Sequence, residues 1–403
     1  MPAVRFTDRT GVTETLRPEP GEQLAEMLLR HRIPPASVLT LSDGRPVADT
    51  VVLDEAATYD VSLIEGYDIA SIRDVYSRLG DLDTDDAAYV KQRIVLARDG
   101  RLQPETQSFN LDDLGEYVET TVRETCTAFN LLGDGSRVLV GLSGGVDSGS
   151  LLLTLAALRQ TWPSLEIVAA TFEDFDMGQS RTFQQAAETA EIAQAEHVVA
   201  PAGLAEEIFK LKRPLSEVLP ALMQTPDRHH AMYVDSHTTR RILEVMAERR
   251  GIDRIALGLH ATDLVAGLLN GFMTGYPSGS LPARTIREHT FVYPLAFLAK
   301  RELHLYFLRR AGRLAQHTSP NPWERDPLDR NFYYYLADHL QAYWPSLELM
   351  LIAGQERSSR AHGVLHYGTC SNCGSAYMQM PLAAATTDEC DVCCILRRAG
   401  FVD

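Results

Sequence analysis

The feature that most constrains this chain is a glycine-rich loop between two apolar runs, over residues 138–148. The sequence there is VLVGLSGGVDS, in which a short apolar run leads into Gly144 and Gly145 and then into a second apolar run. The pattern predicts a buried strand that passes through a glycine loop into a helix. Adjacent glycines let the backbone approach an anion closely, and the N–H groups at the start of the helix face that anion. The loop therefore predicts a phosphate-binding site.

Polar residues of the same loop support this prediction. Ser143 and Ser148 supply hydroxyl donors, and Asp147 supplies a carboxylate that can hold Mg²⁺ against phosphates. The loop lacks the GKS or GKT ending of a Walker A loop and does not match GxGxxG. It resembles the SGGxDS signature of the PP-loop (ATP pyrophosphatase) family, in which the loop binds the pyrophosphate part of ATP and a substrate attacks the α-phosphorus.

This resemblance implies that the chain uses ATP and Mg²⁺. It also implies that adenine lies near Thr171 and Phe172, at the end of the strand that follows the loop helix. The implied nucleotide-binding residues are Leu142, Ser143, Gly144, Gly145, Val146, Asp147, Ser148, Thr171, Phe172 and Gly258.

Short apolar runs alternate with helical stretches over residues 135–260. Strands alternating with helices predict an α/β fold, with a parallel sheet covered on both faces and ligands at the carboxyl ends of its strands. The predicted strands are 137–142, 165–172, 196–200 and 254–259, and the predicted helices are 111–130, 148–160, 181–195 and 238–250.

A second motif follows the last of these strands. Gly258, His260 and Asp263 resemble the GHxxxD segment of the tRNA-thiolating branch of the family, the 2-thiocytidine and 2-thiouridine synthetases, and of lysidine synthetase. The residues Tyr293-Pro294-Leu295, then Lys300, Glu302 and Tyr306, resemble the segment that follows there. The catalytic residues implied by the two motifs are Asp147, Ser148, His260 and Asp263. The alternative interpretations are a buried core histidine for His260 and a helix N-terminal acid for Asp263.

Cysteine usage departs from that branch. Many thiolating relatives carry catalytic cysteines in the PP-loop domain, whereas this chain has only Cys126 there, on a predicted helix before the loop. The sequence therefore supports neither an iron–sulfur cluster nor a persulfide at the ATP site. Sulfur would have to arrive on an external donor, or the nucleophile would be ammonia or an amine.

The other five cysteines lie in the last 34 residues. They include two CxxC pairs that are separated by sixteen residues. Two CxxC pairs at this spacing predict a zinc site, and Cys394 is a spare thiol. A redox pair or an iron–sulfur ligand set is the alternative. The tail from Cys390 to Phe401 also resembles the end of the 7-cyano-7-deazaguanine synthases, PP-loop enzymes that turn a carboxylate into a nitrile with ATP and ammonia. The predicted zinc ligands are Cys370, Cys373, Cys390 and Cys393.

The N-terminal 69 residues have the order ββαββ, which resembles a β-grasp, ubiquitin-like domain of the sulfur-carrier kind. Sulfur carriers end in a free Gly-Gly, but this segment continues through Gly66, so we expect a docking or packing role. The predicted domains are a β-grasp domain at 1–69, a linker with some helix at 70–110, a PP-loop domain at 111–365 and a zinc module at 366–403.

The net charge of −16, with 54 acidic and 38 basic residues, disfavours tRNA as a substrate, because phosphate contacts usually need a basic face. A small-molecule or carrier-protein substrate is favoured, with an external sulfur-carrier protein as partner. We see no signal peptide and no membrane span, and expect a cytoplasmic protein that can form a homodimer.

Together these features predict that the chain adenylates a substrate oxygen with ATP and then transfers sulfur from an external donor. The alternative is an ammonia-dependent ligase that forms an amide or nitrile, of the 7-cyano-7-deazaguanine synthase or asparagine synthetase kind. A non-enzymatic scaffold subunit is the third hypothesis, and the intact SGGVDS loop argues against it.

Overall fold

A computed structural model gives the arrangement of the chain. It describes residues 3–8, 11, 13–31, 33–54, 56–64, 87–96, 102–172, 180–274, 281–312, 330–343, 347–362, 367–378 and 388–403. Among these, no helix has both the length and the apolar character needed to span a bilayer.

The N-terminal unit is a mixed sheet with one helix. Its elements are β1 (Ala3–Thr7), β2 (Thr13–Leu16), α1 (Leu24–Arg30), β3 (Val38–Ser42), β4 (Arg45–Pro46) and β5 (Thr58–Leu63). The strand order is β2-β1-β5-β3-β4, and β1 runs parallel to β5. Alternation along β1 buries Val4 and Phe6 against Met27 of α1, because successive side chains of a strand point to opposite faces. The observed order ββαβββ contains the predicted ββαββ with one added strand, the two-residue β4, and the β-grasp assignment stays a prediction.

A β-hairpin follows where the sequence analysis expected a linker with some helix. It consists of β6 (Tyr89–Leu96) and β7 (Leu102–Phe109), paired antiparallel. The expectation over 70–110 is therefore wrong for this part of the segment, while 70–86 lies outside the described residues. The neglected sequence signal was a turn pair, Asp99 and Gly100, between two runs that contain β-branched residues.

The central domain is built on a six-stranded sheet. Its elements are α2 (Leu111–Ala128), β8 (Arg137–Gly141), α3 (Val146–Leu158), β9 (Glu166–Thr171), α4 (Ser180–Ile192), β10 (Glu196–Val199), α5 (Leu204–Phe209), α6 (Leu215–Leu222), α7 (Ala231–Glu248), β11 (Arg254–Ala256), α8 (Ala261–Thr274), β12 (Ala283–Ile286), β13 (His289–Val292) and α9 (Lys300–Ala311). The order is β10-β9-β8-β11-β13-β12, and all neighbours are parallel except β12 with β13.

Both faces of this sheet are buried, as the sequence predicted. Val138 and Val140 of β8 point into one apolar cluster, whereas Leu139 between them points into the other. The strand β8, at the centre of the sheet, thus delivers the glycine loop at its carboxyl end. The sequence-predicted strands and helices of residues 135–260 are present, but β11 ends three residues earlier than expected.

The remaining elements follow the central sheet. They are α10 (Arg330–Tyr343), α11 (Leu347–His362), β14 (Tyr367–Thr369), β15 (Ala376–Met378) and α12 (Asp391–Arg398). The strands β14 and β15 form a small antiparallel hairpin that carries the first CxxC pair between them. The second pair, Cys390 and Cys393, lies at the start of α12, where Cys390 is the residue before the first turn.

Candidate active site

The glycine loop connects β8 to α3 in a conformation suited to an anion. Gly144 has a φ of +78°, a region that side-chain-bearing residues rarely adopt. Gly145 is the residue that precedes the first turn of α3. The N–H groups of that first turn have no acceptor within the helix, and the helix dipole adds partial positive charge there. The backbone therefore presents donors at the place where the sequence predicted phosphate.

The two serines of the loop contact each other. Their hydroxyl oxygens are 3.0 Å apart, and the N–H of Ser143 donates to the Ser148 hydroxyl at 3.1 Å. The Ser148 hydroxyl also donates to the Gly145 carbonyl at 3.3 Å. In this structure the predicted hydroxyl donors thus hold the shape of the loop itself.

Gly258, two residues after β11, packs closely on the first turn of α3. A Cβ on this glycine would lie 2.7 Å from the backbone nitrogen of Ser148 and 2.8 Å from the carbonyl carbon of Asp147. The backbone after β11 therefore packs directly on the first turn of α3, with no room for a side chain. This close contact brings the segment with His260 and Asp263 to the glycine loop.

Asp147 pairs with a lysine from a distant part of the chain. The ammonium of Lys300, the first residue of α9, is 3.1 Å from Asp147 Oδ2. Burial disfavours the charged carboxylate, but the ammonium of Lys300 and, when they are protonated, the rings of His260 and His304 outweigh it and lower the pKa of Asp147. Asp147 is therefore held as an anion, the form that binds a cation.

His260 is fully buried, and its ring faces two carboxylates. Its Nε2 lies 3.3 Å from Asp263 Oδ2 and 4.0 Å from Asp147 Oδ1. Asp263 also accepts the backbone N–H of His260 at 3.1 Å, so it acts at the start of α8 as a helix N-terminal acid as well. A tyrosine hydroxyl from α10, that of Tyr334, donates to Asp263 Oδ1. The two predicted motifs thus meet in one cluster.

Thr171 lies at the end of β9 beside the glycine loop, and its role in holding adenine stays a prediction. Its buried hydroxyl donates to the Leu142 carbonyl at 2.8 Å and lies 2.9 Å from His197 Nε2. The side chain therefore ties the end of β9 to the start of the glycine loop. Phe172 is half-buried beside it. His197, on the neighbouring strand β10, was not a candidate in the sequence analysis because no motif contains it.

The thiol of Cys126 is buried within α2. Burial raises its pKa to about 12. A thiol is a nucleophile only as the thiolate, so this cysteine is inert at neutral pH. Cys126 is therefore a poor candidate for a nucleophile.

The four predicted metal ligands come together in the C-terminal module. All four cysteines are buried, and their sulfur atoms lie within 4.8 Å of one another. The Sγ atoms of Cys373 and Cys390 are 3.8 Å apart, too far for a disulfide, which needs about 2.0 Å. The side-chain amide of Asn372 donates to the Cys393 sulfur at 3.3 Å, a contact that suits a thiolate acceptor. The set can hold a metal ion.

Helix α7 braces this cysteine set. His237 Nε2 lies 3.6 Å from the Cys390 sulfur. Arg240 donates to the Ala376 carbonyl at 2.7 Å, and Arg241 donates to the Cys373 carbonyl at 3.1 Å. None of the sequence motifs above contains these α7 residues. Their contacts show that they support the metal-binding module.

Curated relatives match the central part of the chain. The chain is 28% identical over 213 residues to a tRNA-cytidine(32) 2-sulfurtransferase of Psychromonas ingrahamii, a match that covers 50% of this chain and 61% of that protein. It is 28% identical over 208 residues to the protein of the same name from Pseudomonas putida, covering 50% of this chain and 69% of that one. The matched region thus spans less than two thirds of the length of the first of these relatives.

A solved structure has a similar fold. It is the U34-tRNA thiolase NcsA of Methanococcus maripaludis with its 4Fe-4S cluster, at a TM-score of 0.55 and 19% identity, covering 74% of this chain and 92% of that one. At this identity the likeness shows the fold alone. The asparagine synthase family matches residues 131–364. This range is more than half of the chain, and it contains the glycine loop together with His260, Asp263 and Lys300. The chain therefore belongs to the asparagine synthase family of PP-loop proteins.

Proposed function

We propose that this protein adenylates a carbonyl, amide or carboxylate oxygen with ATP, releasing pyrophosphate, and then replaces AMP with sulfur from an external donor. The observation that carries the proposal is the meeting of the SGGVDS loop with His260, Asp263 and Lys300 at the carboxyl end of β8 and β11. The sulfurtransferase names of the matched relatives support the thiolation step.

The residues of the loop fit a bound nucleotide. The first-turn N–H groups of α3 face the position of the phosphates, and Asp147 is an anion at the same edge. A divalent cation held there would neutralise charge on the departing pyrophosphate. Lys300 lies beside that carboxylate and places a second positive charge at the same point. Preorganised donors of this kind stabilise charge as it develops, without reorganisation at the moment of reaction.

The second motif is assigned to the acceptor side of the reaction. Asp263 is fixed on one oxygen by Tyr334 and on the other by the backbone N–H of His260. A carboxylate oriented in this way can accept the proton that the incoming nucleophile loses. His260 sits between this carboxylate and Asp147, so it links the acceptor side of the site to the phosphate side.

The donor is assigned as external because the domain offers no usable thiol. Cys126 is the only cysteine between residues 111 and 365, and its buried thiol has a pKa raised to about 12. The same observation favours ammonia as a second candidate nucleophile, which would make the enzyme an amide- or nitrile-forming ligase. Supplying sulfide, a thiocarboxylated carrier or ammonia to the enzyme with its bound substrate adenylate separates the two reactions by product mass.

For the acceptor we propose a small molecule or a carrier-bound group. The net charge of −16 works against the many phosphate contacts that a tRNA needs. The relatives named above are tRNA enzymes, so tRNA is the alternative to be tested. Thiolated nucleosides missing from the tRNA of a deletion strain would overturn this part of the proposal.

For the cysteine set we propose zinc. Four thiolates around one tetrahedral ion with Zn–S bonds of about 2.3 Å lie about 3.8 Å apart, the separation that the Cys373 and Cys390 sulfurs have. A cluster would place its own irons and sulfides between the thiolates and hold them further apart. Elemental analysis should find about one zinc per chain, and iron in its place would refute the assignment.

The test of the proposed function is pyrophosphate release. Asp147→Asn should abolish it, because the neutral amide loses the charge that holds the cation, while the loop retains its shape. The control is Asp134→Asn, an exposed aspartate just before the same strand whose Oδ1 accepts the Ser164 N–H at 2.7 Å, a bond that an amide oxygen can keep. The proposal would be wrong if Asp147→Asn released pyrophosphate at the rate of the wild type, or if the wild type released none with any donor.

A further inference from the structure

We infer that Asp147, His260 and Asp263 form a binding site for a first-row transition-metal dication such as Mn²⁺ or Fe²⁺, beside the phosphate loop. The inference deepens the proposed function, since it assigns the ion that would lie between the two motifs. It concerns a different site from the four cysteines, and it rests on the side chains of the cluster and the groups that hold them.

The three ligand atoms are already close to coordinating positions. Within the described residues, one nitrogen of His260 and one oxygen from each aspartate lie within 4.8 Å of one another. The two distances from His260 Nε2 are 3.3 Å and 4.0 Å. Nitrogen and oxygen ligands about 2.1 Å from one ion stand about 3.0 Å apart at adjacent octahedral positions and about 3.4 Å apart in tetrahedral geometry. Movements of about 1 Å, mainly of the Asp147 carboxylate towards His260 and Asp263, would therefore complete the site.

Each carboxylate is held by an outer partner that leaves its other oxygen directed at the histidine. Lys300 holds Asp147 Oδ2, while Oδ1 faces His260. Tyr334 holds Asp263 Oδ1, while Oδ2 faces His260. Metal ligands are typically oriented by such outer partners, which fix the ligand and tune its affinity. Lys300 and Tyr334 come from α9 and α10, so two further helices contribute to this orientation.

The donor set indicates the class of ion. Mg²⁺ prefers oxygen ligands and keeps several waters, whereas an imidazole with two carboxylates suits Mn²⁺, Fe²⁺ or Zn²⁺. His260 is fully buried, so its ring cannot exchange its position for a solvent-facing one. The competing description is a protonated imidazole between two aspartates with no metal, and it predicts no bond between His260 and an added ion.

The experiment is electron spin-echo spectroscopy of Mn²⁺ added to the full-length protein that retains its cysteine-bound metal, first without ATP and then with it. Wild type should show nitrogen modulation from a directly bonded imidazole. His260→Gln should lose this modulation and bind Mn²⁺ at least about 10-fold more weakly, on the scale that loss of an orienting partner already produces. Tyr334→Phe should keep the modulation with weaker binding.

His304→Gln is the control, because its ring acts on the charge of Asp147 but is not one of the three ligands. It should keep the modulation. Mn²⁺ bound to wild type without nitrogen modulation, or modulation that persists in His260→Gln, would overturn the inference. The measurement needs no turnover, so an enzyme that binds Mn²⁺ through His260 yet releases no pyrophosphate would refute the proposed function alone.

Discussion

The two units at the ends of the chain attach to the central domain in different ways. The N-terminal sheet and α1 have an apolar core of their own, in which Val4, Phe6 and Met27 are fully or almost fully buried. Within its described residues, the C-terminal module has no separate core, because its cysteines share one cluster with Phe209 and Leu243 of the central domain. One unit is a small fold that docks, whereas the other extends the core of its neighbour.

Charged pairs dominate the N-terminal junction. Arg301 of α9 binds Asp49 through both of its terminal nitrogens, and both side chains are buried. The hairpin that follows the N-terminal unit adds a second buried pair at the same helix, and we count it as part of this junction: Lys91 of β6 lies 2.7 Å from Glu302 and 2.7 Å from the Tyr117 hydroxyl. Apolar contact is limited by comparison, with Leu39 among the few N-terminal residues in the central clusters. Buried ion pairs add little net stability but tolerate only one geometry, so this junction favours specificity.

The geometry of this junction extends to the ATP site. The first three residues of α9 contact three different regions of the molecule: Lys300 contacts Asp147 in the glycine loop, Arg301 the N-terminal unit and Glu302 the hairpin. The start of one helix therefore carries both the docking contacts and the loop lysine. Because Lys300 and Arg301 are adjacent, a displacement of the N-terminal unit can move Lys300. A domain joined to the rest only by a flexible linker would have no such effect.

The C-terminal junction combines the shared core with arginines that donate to backbone carbonyls. Arg241 also leaves little room for a side chain at Gly374, in the turn after the first CxxC pair. A Cβ there would lie 3.3 Å from the Arg241 guanidinium, and the φ of +71° itself favours glycine. Because the cysteines belong to the shared core, loss of the metal should disturb the central domain as well as the module.

The largest effect expected from this comparison is therefore that of the cysteines. Cys370→Ser should lose the metal and lower the melting temperature of the whole chain, since structural zinc contributes on the order of 10 kcal/mol of binding free energy in small domains. Metal content and calorimetry measure both effects. Cys394→Ser, a neighbouring thiol outside the set of four, is the control and should keep the metal. A central domain that melts at the wild-type temperature without metal would show that the shared core does not couple the two.

The second expected effect is at the N-terminal junction. Asp49→Ala leaves the Arg301 guanidinium buried without its partner and should cost about 3–5 kcal/mol, while Asp49→Leu combined with Arg301→Met should recover most of that loss. Chemical denaturation measures the free energy of unfolding in each variant. If Asp49→Ala costs less than about 1 kcal/mol, the range of exposed pairs, then the N-terminal unit is merely tethered.

The local part of the ATP site could be predicted from the sequence. The loop motif and the GHxxxD-like segment are each a single short stretch of sequence. Each fixes its own backbone by short-range geometry, so Asp147, His260 and Asp263 could be identified as candidates. Their partners were not. Tyr334 lies 71 residues from Asp263, and its contact depends on how α10 packs. Lys300 belongs to the segment after Tyr293 that resembles the family, but its pairing with Asp147 depends on the tertiary fold.

The fold at the two junctions likewise depends on long-range contacts that the sequence does not reveal. The strands of the central sheet follow from apolar runs, because both faces of a parallel sheet are buried. The hairpin at Tyr89–Phe109 was missed because its inward positions include Lys91, which is buried against Glu302. A polar residue at a core position hides the alternation that identifies a strand. The shared C-terminal core was also not predictable, since spacing reveals the ligands of a metal site but not what the site packs against.

The smallest expected effect concerns a buried carboxyl at the start of α11. Glu348 is buried near the Lys91–Glu302 pair, and burial raises its pKa from 4.5 to about 7. An acid whose pKa is raised by folding stabilises the folded state fully below pH 4.5 and loses that contribution as the pH rises through 7. The shift corresponds to about 3 kcal/mol at most. Stability should therefore fall between pH 5 and pH 8.

Glu348→Gln removes this titration, so the variant should match wild type near pH 5 and exceed it by up to about 3 kcal/mol at pH 8. Denaturation curves at the two pH values measure the difference. The control is Glu356→Gln, eight residues later on the same helix, which should keep the wild-type pH dependence. If Glu348→Gln retains that dependence too, then the Lys91–Glu302 pair is not surrounded by a medium of low polarity. The N-terminal junction would then be wetter than the C-terminal one, and its ion pairs would have the small energies of exposed pairs.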